Sequence, residues 1–87
     1  MAERIAAAAI RFEGLLCVLP PPARHHTILH AIHALRPDKV IGPDAQGFVT
    51  DYGRFVERTE AREIATREGQ LLPTAITHKH LFSEDVW

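Results

Sequence analysis

The chain has 87 residues, enough for one small domain with a modest core. Its 46% hydrophobic and 24% charged residues exclude a disordered chain. Ten Lys+Arg against eleven Asp+Glu give a net charge of −1, which excludes a polycation built to coat a nucleic-acid polymer.

No apolar run reaches the roughly 18–20 residues of a membrane span, and Met1–Ile10 lacks the basic-then-apolar shape of a signal peptide. The single cysteine, Cys17, excludes an intrachain disulfide or a multi-Cys zinc site and fits a reducing cytosol. Eight of the ten strong bases are Arg, with Lys39 and Lys79 the two lysines. Arginine's planar fork suits carboxylates and phosphates, although GC-rich coding produces the same bias.

In chain order, Ala7–Leu19 holds two apolar runs around Glu13-Gly14, which predicts a β-hairpin. Four successive Ala make a helix over Glu3–Phe12 the rival reading, but Ile10, Phe12, Leu15, Leu16 and Val18 favour strand. Pro20-Pro21-Pro22 ends the hairpin, and a helix is expected over residues 23–35, stopping before Pro37. Its apolar stripe is Ile28, Leu29, Ala31, Ile32 and Leu35, with His26, His30 and His33 opposite. Asp38–Ala45 reads as a loop. A second hairpin follows over residues 47–57, turning at Asp51-Tyr52-Gly53 and pairing Val49 with Phe55 and Phe48 with Val56. Thr59 is the expected N-cap of a helix over residues 60–68, and Gly69 its stop. The segment 71–87 has no periodicity and ends in Leu81–Trp87, whose aromatics predict docking on its own domain or on a neighbour. The expected fold is therefore α+β: two β-hairpin–α-helix units forming a small antiparallel sheet packed by two helices, with an extended C-terminal tail.

Several residues are candidates for chemistry. Arg24-His25-His26 open the first helix, where free N–H groups and the helix dipole favour an anion and Arg24 adds a bidentate fork. His25, nearer the apolar stripe, either reads a ligand edge or bonds a backbone carbonyl within the fold. Arg11 and Arg54 lie on the hairpins, and Tyr52 and Trp87 offer stacking surfaces for a base, with packing as the alternative. His26, His30 and His33, with His78-Lys79-His80, have spacings compatible with zinc or with a solvated polar face. Cys17 is either a thiol nucleophile paired with a His or a small buried hydrophobe. Ser83, beside Glu84 and Asp85, makes a poor nucleophile.

As a set, Gln46-Gly47-Phe48-Val49-Thr50, Gly53-Arg54-Phe55-Val56, Arg58, Glu60-Ala61, Ile64-Ala65, Gly69-Gln70 and Leu81-Phe82-Ser83-Glu84-Asp85-Val86-Trp87 resemble a family of small accessory proteins of bacteriophages and prophages. Ala23-Arg24-His25-His26 fits the Arg-His helix start of that pattern, and Val86 stands where Leu is usual. Pro20–Pro22 and His33 depart from it. The resemblance implies a protein acting in the host cytoplasm against host defence, some such proteins sequestering nucleotide signals. The resulting expectation is a non-enzymatic protein, without cofactor, that binds a small anionic or nucleotide-like ligand through Arg24, His25, His26, Arg54, Arg11, Tyr52 and Trp87. Two alternatives are an interaction protein using the aromatic and acidic tail, and a small His-dependent hydrolase. A core this small, without disulfides, also predicts a homo-oligomer with a site shared between copies.

Overall fold

The computed structural model of the chain describes residues 2–38, 40–73, 75 and 79–87. Strands β1 (Ile5–Phe12) and β2 (Leu15–Leu19) precede helix α1 (His25–Leu35). Strands β3 (Gln46–Thr50) and β4 (Phe55–Glu57) precede helix α2 (Arg58–Arg67), and short 3₁₀ turns cover Pro43–Ala45 and Ser83–Asp85. The four strands form one antiparallel sheet in the order β2-β1-β3-β4. Two hairpin–helix units are thus joined through β1 and β3.

The alanine run lies in strand β1, and the rival helix over Glu3–Phe12 does not form. β1 is a central strand with ladders to β2 and β3, so pairing on both edges overrides the helix preference of Ala. Its small side chains also let neighbouring layers close in, and Ala8 and Ala9 are fully buried. Glu13 (φ +49°) and Gly14 (φ +78°) make the two-residue turn with both residues left-handed, as a tight hairpin requires. The second hairpin turns through Asp51-Tyr52-Gly53, with Gly53 at φ +80° and Val49 opposite Phe55, Phe48 opposite Val56.

The register places Ala8, Ile10 and Phe48 on one sheet face, and both helices pack there. One cluster joins Ala8 and Ile10 to Ile28 and Ile32 of α1. The other joins Ile5, Phe48 and Val56 to Ala61, Ile64 and Ala65 of α2. Helix α1 begins at His25, after an extended Arg24, and its buried line is His25, Ile28 and Ile32. The expected stripe is rotated: Ala31 and Leu35 are exposed, because the line starts three residues before Ile28 at a histidine. Helix α2 starts straight from β4, so Glu57 rather than Thr59 is its N-cap residue.

The tail docks on its own domain. Leu81 is fully buried in the α2 cluster, Ser83 and Asp85 are buried, and Trp87 packs against both clusters, closing the seam between the helices. Leu81 N–H donates to the Arg58 carbonyl (3.0 Å) and Leu72 N–H to the Asp85 carbonyl (2.8 Å). No helix among the described residues is long and apolar enough to cross a membrane.

Candidate functional site

The structure brings Arg24, His25 and Trp87 together, but around the tail. Arg24 Nη2 donates to the Trp87 backbone oxygen at 2.6 Å, and the Trp87 indole N–H donates to the Ala23 carbonyl at 2.8 Å. His25 is buried edge-on against Phe48, its ring 4.8 Å from the phenyl centroid. Its Nε2 lies 2.6 Å from the Gly47 carbonyl oxygen and its Nδ1 3.3 Å from Ser83 Oγ. A carbonyl only accepts, so Nε2 carries the proton and Nδ1 accepts from the Ser83 hydroxyl. Burial, partly opposed by the bond to Gly47, pulls the His25 pKa down to about 4, so the ring is neutral at pH 7.

The other predicted site residues lie apart from this cluster. Arg54 clamps Glu3 in a fork (Nε–Oε2 3.0 Å, Nη2–Oε1 2.8 Å) and reaches Glu60 at 2.6 Å, so two carboxylates already hold its charge. Hydrogen bonds from Arg54 and Thr50 hold the Glu3 carboxyl down at about 2. Arg11, at the far end of β1, lies over the Phe55 ring at 4.5 Å and 3.9 Å from Glu57. Tyr52 is exposed in the second hairpin turn. His26 and His30 are exposed neighbours with ring centroids 6.2 Å apart, and His33 is exposed nearby. Among the described residues no three His, Cys, Asp or Glu side chains gather as a metal site would require, and His78 lies outside those residues. Cys17, half-buried, sits on β2 against the α1 cluster.

A different group of residues lines a cleft of about 460 Å³: Arg58, Thr59, Gln46, His80 and Phe82, with Asp44 and Glu57 at its wall. The abrupt passage from β4 into α2 positions it, since Arg58 is the first helical residue and Gln46 the first of β3. Arg58 is half-buried and lies over the Phe82 ring at 4.6 Å. Its Nη1 donates to the Leu81 carbonyl and its Nη2 to Gln46 Oε1, both at 2.7 Å. Among the described residues these hydrogen-bond acceptors are neutral, unlike those of Arg54. Desolvation pushes the Arg58 pKa down, against the more distant pull of Glu84 and Asp85. A guanidinium so placed favours an added anion more than one already clamped by carboxylates.

Residues 4–87 match the family model described as phage T4 y16D protein. The chain belongs to that family. Comparison with curated proteins and with solved structures returned no match. The family's description gives a phage source and no activity, which makes this a bacteriophage protein. Residues of the family-like pattern quoted above meet in space. Gly47 lies where a Cβ would overlap the Val56 carbonyl oxygen and come within 2.7 Å of the Phe55 ring. Gln70 bonds both backbone groups of Ile5 (2.8 and 2.9 Å), and Ser83, Asp85 and Trp87 lock the tail. Much of the pattern therefore serves the fold.

Sequence reasoning missed the Arg58 cleft because its walls come from three separated segments. The available signal was Arg58 itself, a base at the start of a helix and the third residue after Phe55. Its exposure and partners depend on how the tail docks.

Proposed function

We propose that this phage protein is a non-enzymatic binding protein for a small anionic, nucleotide-like ligand, with Arg58 as the anion contact. The observation that carries this reading is the half-buried Arg58 guanidinium, hydrogen-bonded to neutral oxygens beside a cleft of about 460 Å³. That volume is in the range of small-molecule sites. Phe82 and Arg58 supply π and cationic surfaces, while Gln46, Thr59 and the carboxylates of Asp44 and Glu57 suit the polar edge of a base. The biological role that goes with it is removal of an anionic signal from the infected host. Arg24 then acts as a tail clasp instead of a phosphate ligand.

Binding without turnover is favoured by where the nucleophiles sit. Ser83 and His25 form a hydroxyl–imidazole pair, yet both are buried, so the pair lacks the access a hydrolase needs. Cys17 lies on β2, the opposite edge of the sheet from β4.

Calorimetric titration with nucleoside mono-, di- and triphosphates and cyclic oligonucleotides tests the reading. At least one class is expected to bind, and Arg58→Gln to weaken it by about tenfold or more, as loss of a charged hydrogen bond does. Because Arg58 also anchors the tail, His80→Gln provides a second probe on the cleft wall, with circular dichroism to establish folding. If no anionic ligand binds, or both variants bind as the parent does, the assignment fails. Recovery of intact ligand separates sequestration from hydrolysis.

A further inference from the structure

The two edges of the sheet differ. β4 is three residues long, carries Glu57 and runs directly into α2, so it offers little to an incoming strand. β2 is five residues of Leu15-Leu16-Cys17-Val18-Leu19, with no charge and none of them buried. Leu15 is 67% exposed, Leu16 45%, Val18 39% and Leu19 36%. A solvent-facing edge strand ordinarily alternates apolar with polar residues and carries charge against pairing. β2 is apolar on both faces.

We propose that β2 is the interface with a second copy of this chain, the two strands pairing antiparallel about a two-fold axis at Cys17. The backbone fixes the register. Phe12 and Leu15 flank a two-residue turn and so form a hydrogen-bonded pair of the β1–β2 ladder, and alternation makes Ile10–Cys17 and Ala8–Leu19 the next such pairs. The N–H and C=O groups of Leu16 and Val18 therefore point away from β1, at the open edge. Centring the two-fold axis on Cys17 sets Leu16 against Val18 of the second copy and Val18 against its Leu16, so four inter-chain hydrogen bonds form. It also sets Leu15 against Leu19 of the second copy, and every residue of β2 meets an apolar partner. Centring on Val18 instead opposes Leu16 with Pro20, which has no N–H to give.

The exposed parts of these side chains amount to on the order of 400 Å² per copy, the size of the largest apolar patch on a typical monomer, which is often functional. Two copies then bury at most about 800 Å², below the roughly 1,000 Å² at which specific interfaces begin, so the pairing is weak and concentration-dependent. The product is a continuous eight-stranded sheet. Each Arg58 cleft stays at the outer edge, whole within one copy, so this inference does not depend on the ligand reading.

Sedimentation velocity of the full chain over a range of concentrations is expected to show a dimer of twice the 9.7 kDa mass. Cys17 meets Cys17 of the second copy as a non-hydrogen-bonded pair, with Cα atoms roughly 4.5 Å apart, within disulfide range. Mild oxidation with diamide should therefore yield a covalent dimer bridged at that residue, and Cys17→Ser should abolish the cross-link while keeping the dimer. Val18→Pro removes an N–H that faces the edge and leaves the β1 ladder intact. Leu16→Glu places a carboxylate across from Arg11 of the same chain. Both are expected to keep the monomer's circular dichroism and weaken dimerisation by about tenfold or more. A chain that stays monomeric at all concentrations overturns the proposal, as does a dimer that survives both variants or resists cross-linking at Cys17.

Discussion

At His25 the local signal and the tertiary setting pull in different directions. A histidine at a helix start, next to an arginine, is a natural ligand contact, and on an isolated helix it would titrate near its ordinary value. Here Phe48, the Gly47 carbonyl and Ser83 enclose it, and that burial holds it neutral although the bond to Gly47 works the other way. With a folded pKa near 4 against 6.5 for the free group, the unfolded chain binds more protons between those values. His25 therefore contributes stability that is full above about pH 6.5 and is lost as the pH falls toward 4. Urea unfolding across that window should show a loss on the order of 2 kcal/mol after allowance for solvent screening, and His25→Gln should flatten the dependence. Glu3, whose carboxyl is held near 2, loses its contribution only below about pH 4.5, so the two effects separate.

Gly47 makes a second case at this scale. Its need for glycine comes from a close approach: the Val56 carbonyl and the Phe55 ring occupy the space of a side chain. Gly47→Ala should destabilise the fold by about 1–3 kcal/mol, as overpacking does, seen as a lower urea midpoint with unchanged slope. Nothing in the residues flanking Gly47 announces this, because the obstruction comes from the neighbouring strand.

Among the elements, the tail is where the fold decides most: its aromatics predict docking on its own domain or on a neighbour, and it docks on its own domain. Without periodicity, Leu81–Trp87 reads as an aromatic, acidic docking segment, and the interaction-protein alternative takes those aromatics as anchors for a partner. In the fold Leu81 fills the α2 cluster, Trp87 bridges both clusters, and Arg24 clasps the last backbone oxygen. Buried Asp85 faces Arg62 at 3.6 Å, and both side chains are nearly enclosed. Trp87→Ala should cost about 2–4 kcal/mol, less than a wholly buried tryptophan because Trp87 keeps some exposure, and thermal unfolding would measure it. The hairpins were more legible. Their turns are set by Gly14 and Gly53 and by alternation along each strand, all of it local. Thr59 misled as a cap because β4 runs into α2 without the loop that a capping residue usually closes.

For the whole molecule, the small size that predicts oligomers and the bare β2 edge bear on the same point. One sheet face carries both helices, and their combined core is completed only by the tail. Four of the nine exposed large hydrophobics among the described residues lie together on one edge strand. The self-pairing proposed for that strand would enlarge the sheet without touching the Arg58 cleft. A site shared between copies, expected from chain length, is thus not what this geometry favours. Dimerisation and ligand binding should be separable by mutation, Val18→Pro affecting the first and Arg58→Gln the second.

The sequence by itself determined the α+β class, the hairpin turns and their pairing, and the kinship with a phage family, because each rests on neighbours within a few residues or on a pattern running along the chain. Only the tertiary structure decided that the alanine run is a central strand and that Arg24 and His25 fasten the tail. It also separated Arg54, clamped by two carboxylates, from Arg58, held by neutral oxygens beside a cleft. A charge and a hydrogen-bonding group are visible in a sequence, but their effect depends on which distant segment satisfies them. Eighty-seven residues and a net charge of −1 leave open which arginine that is.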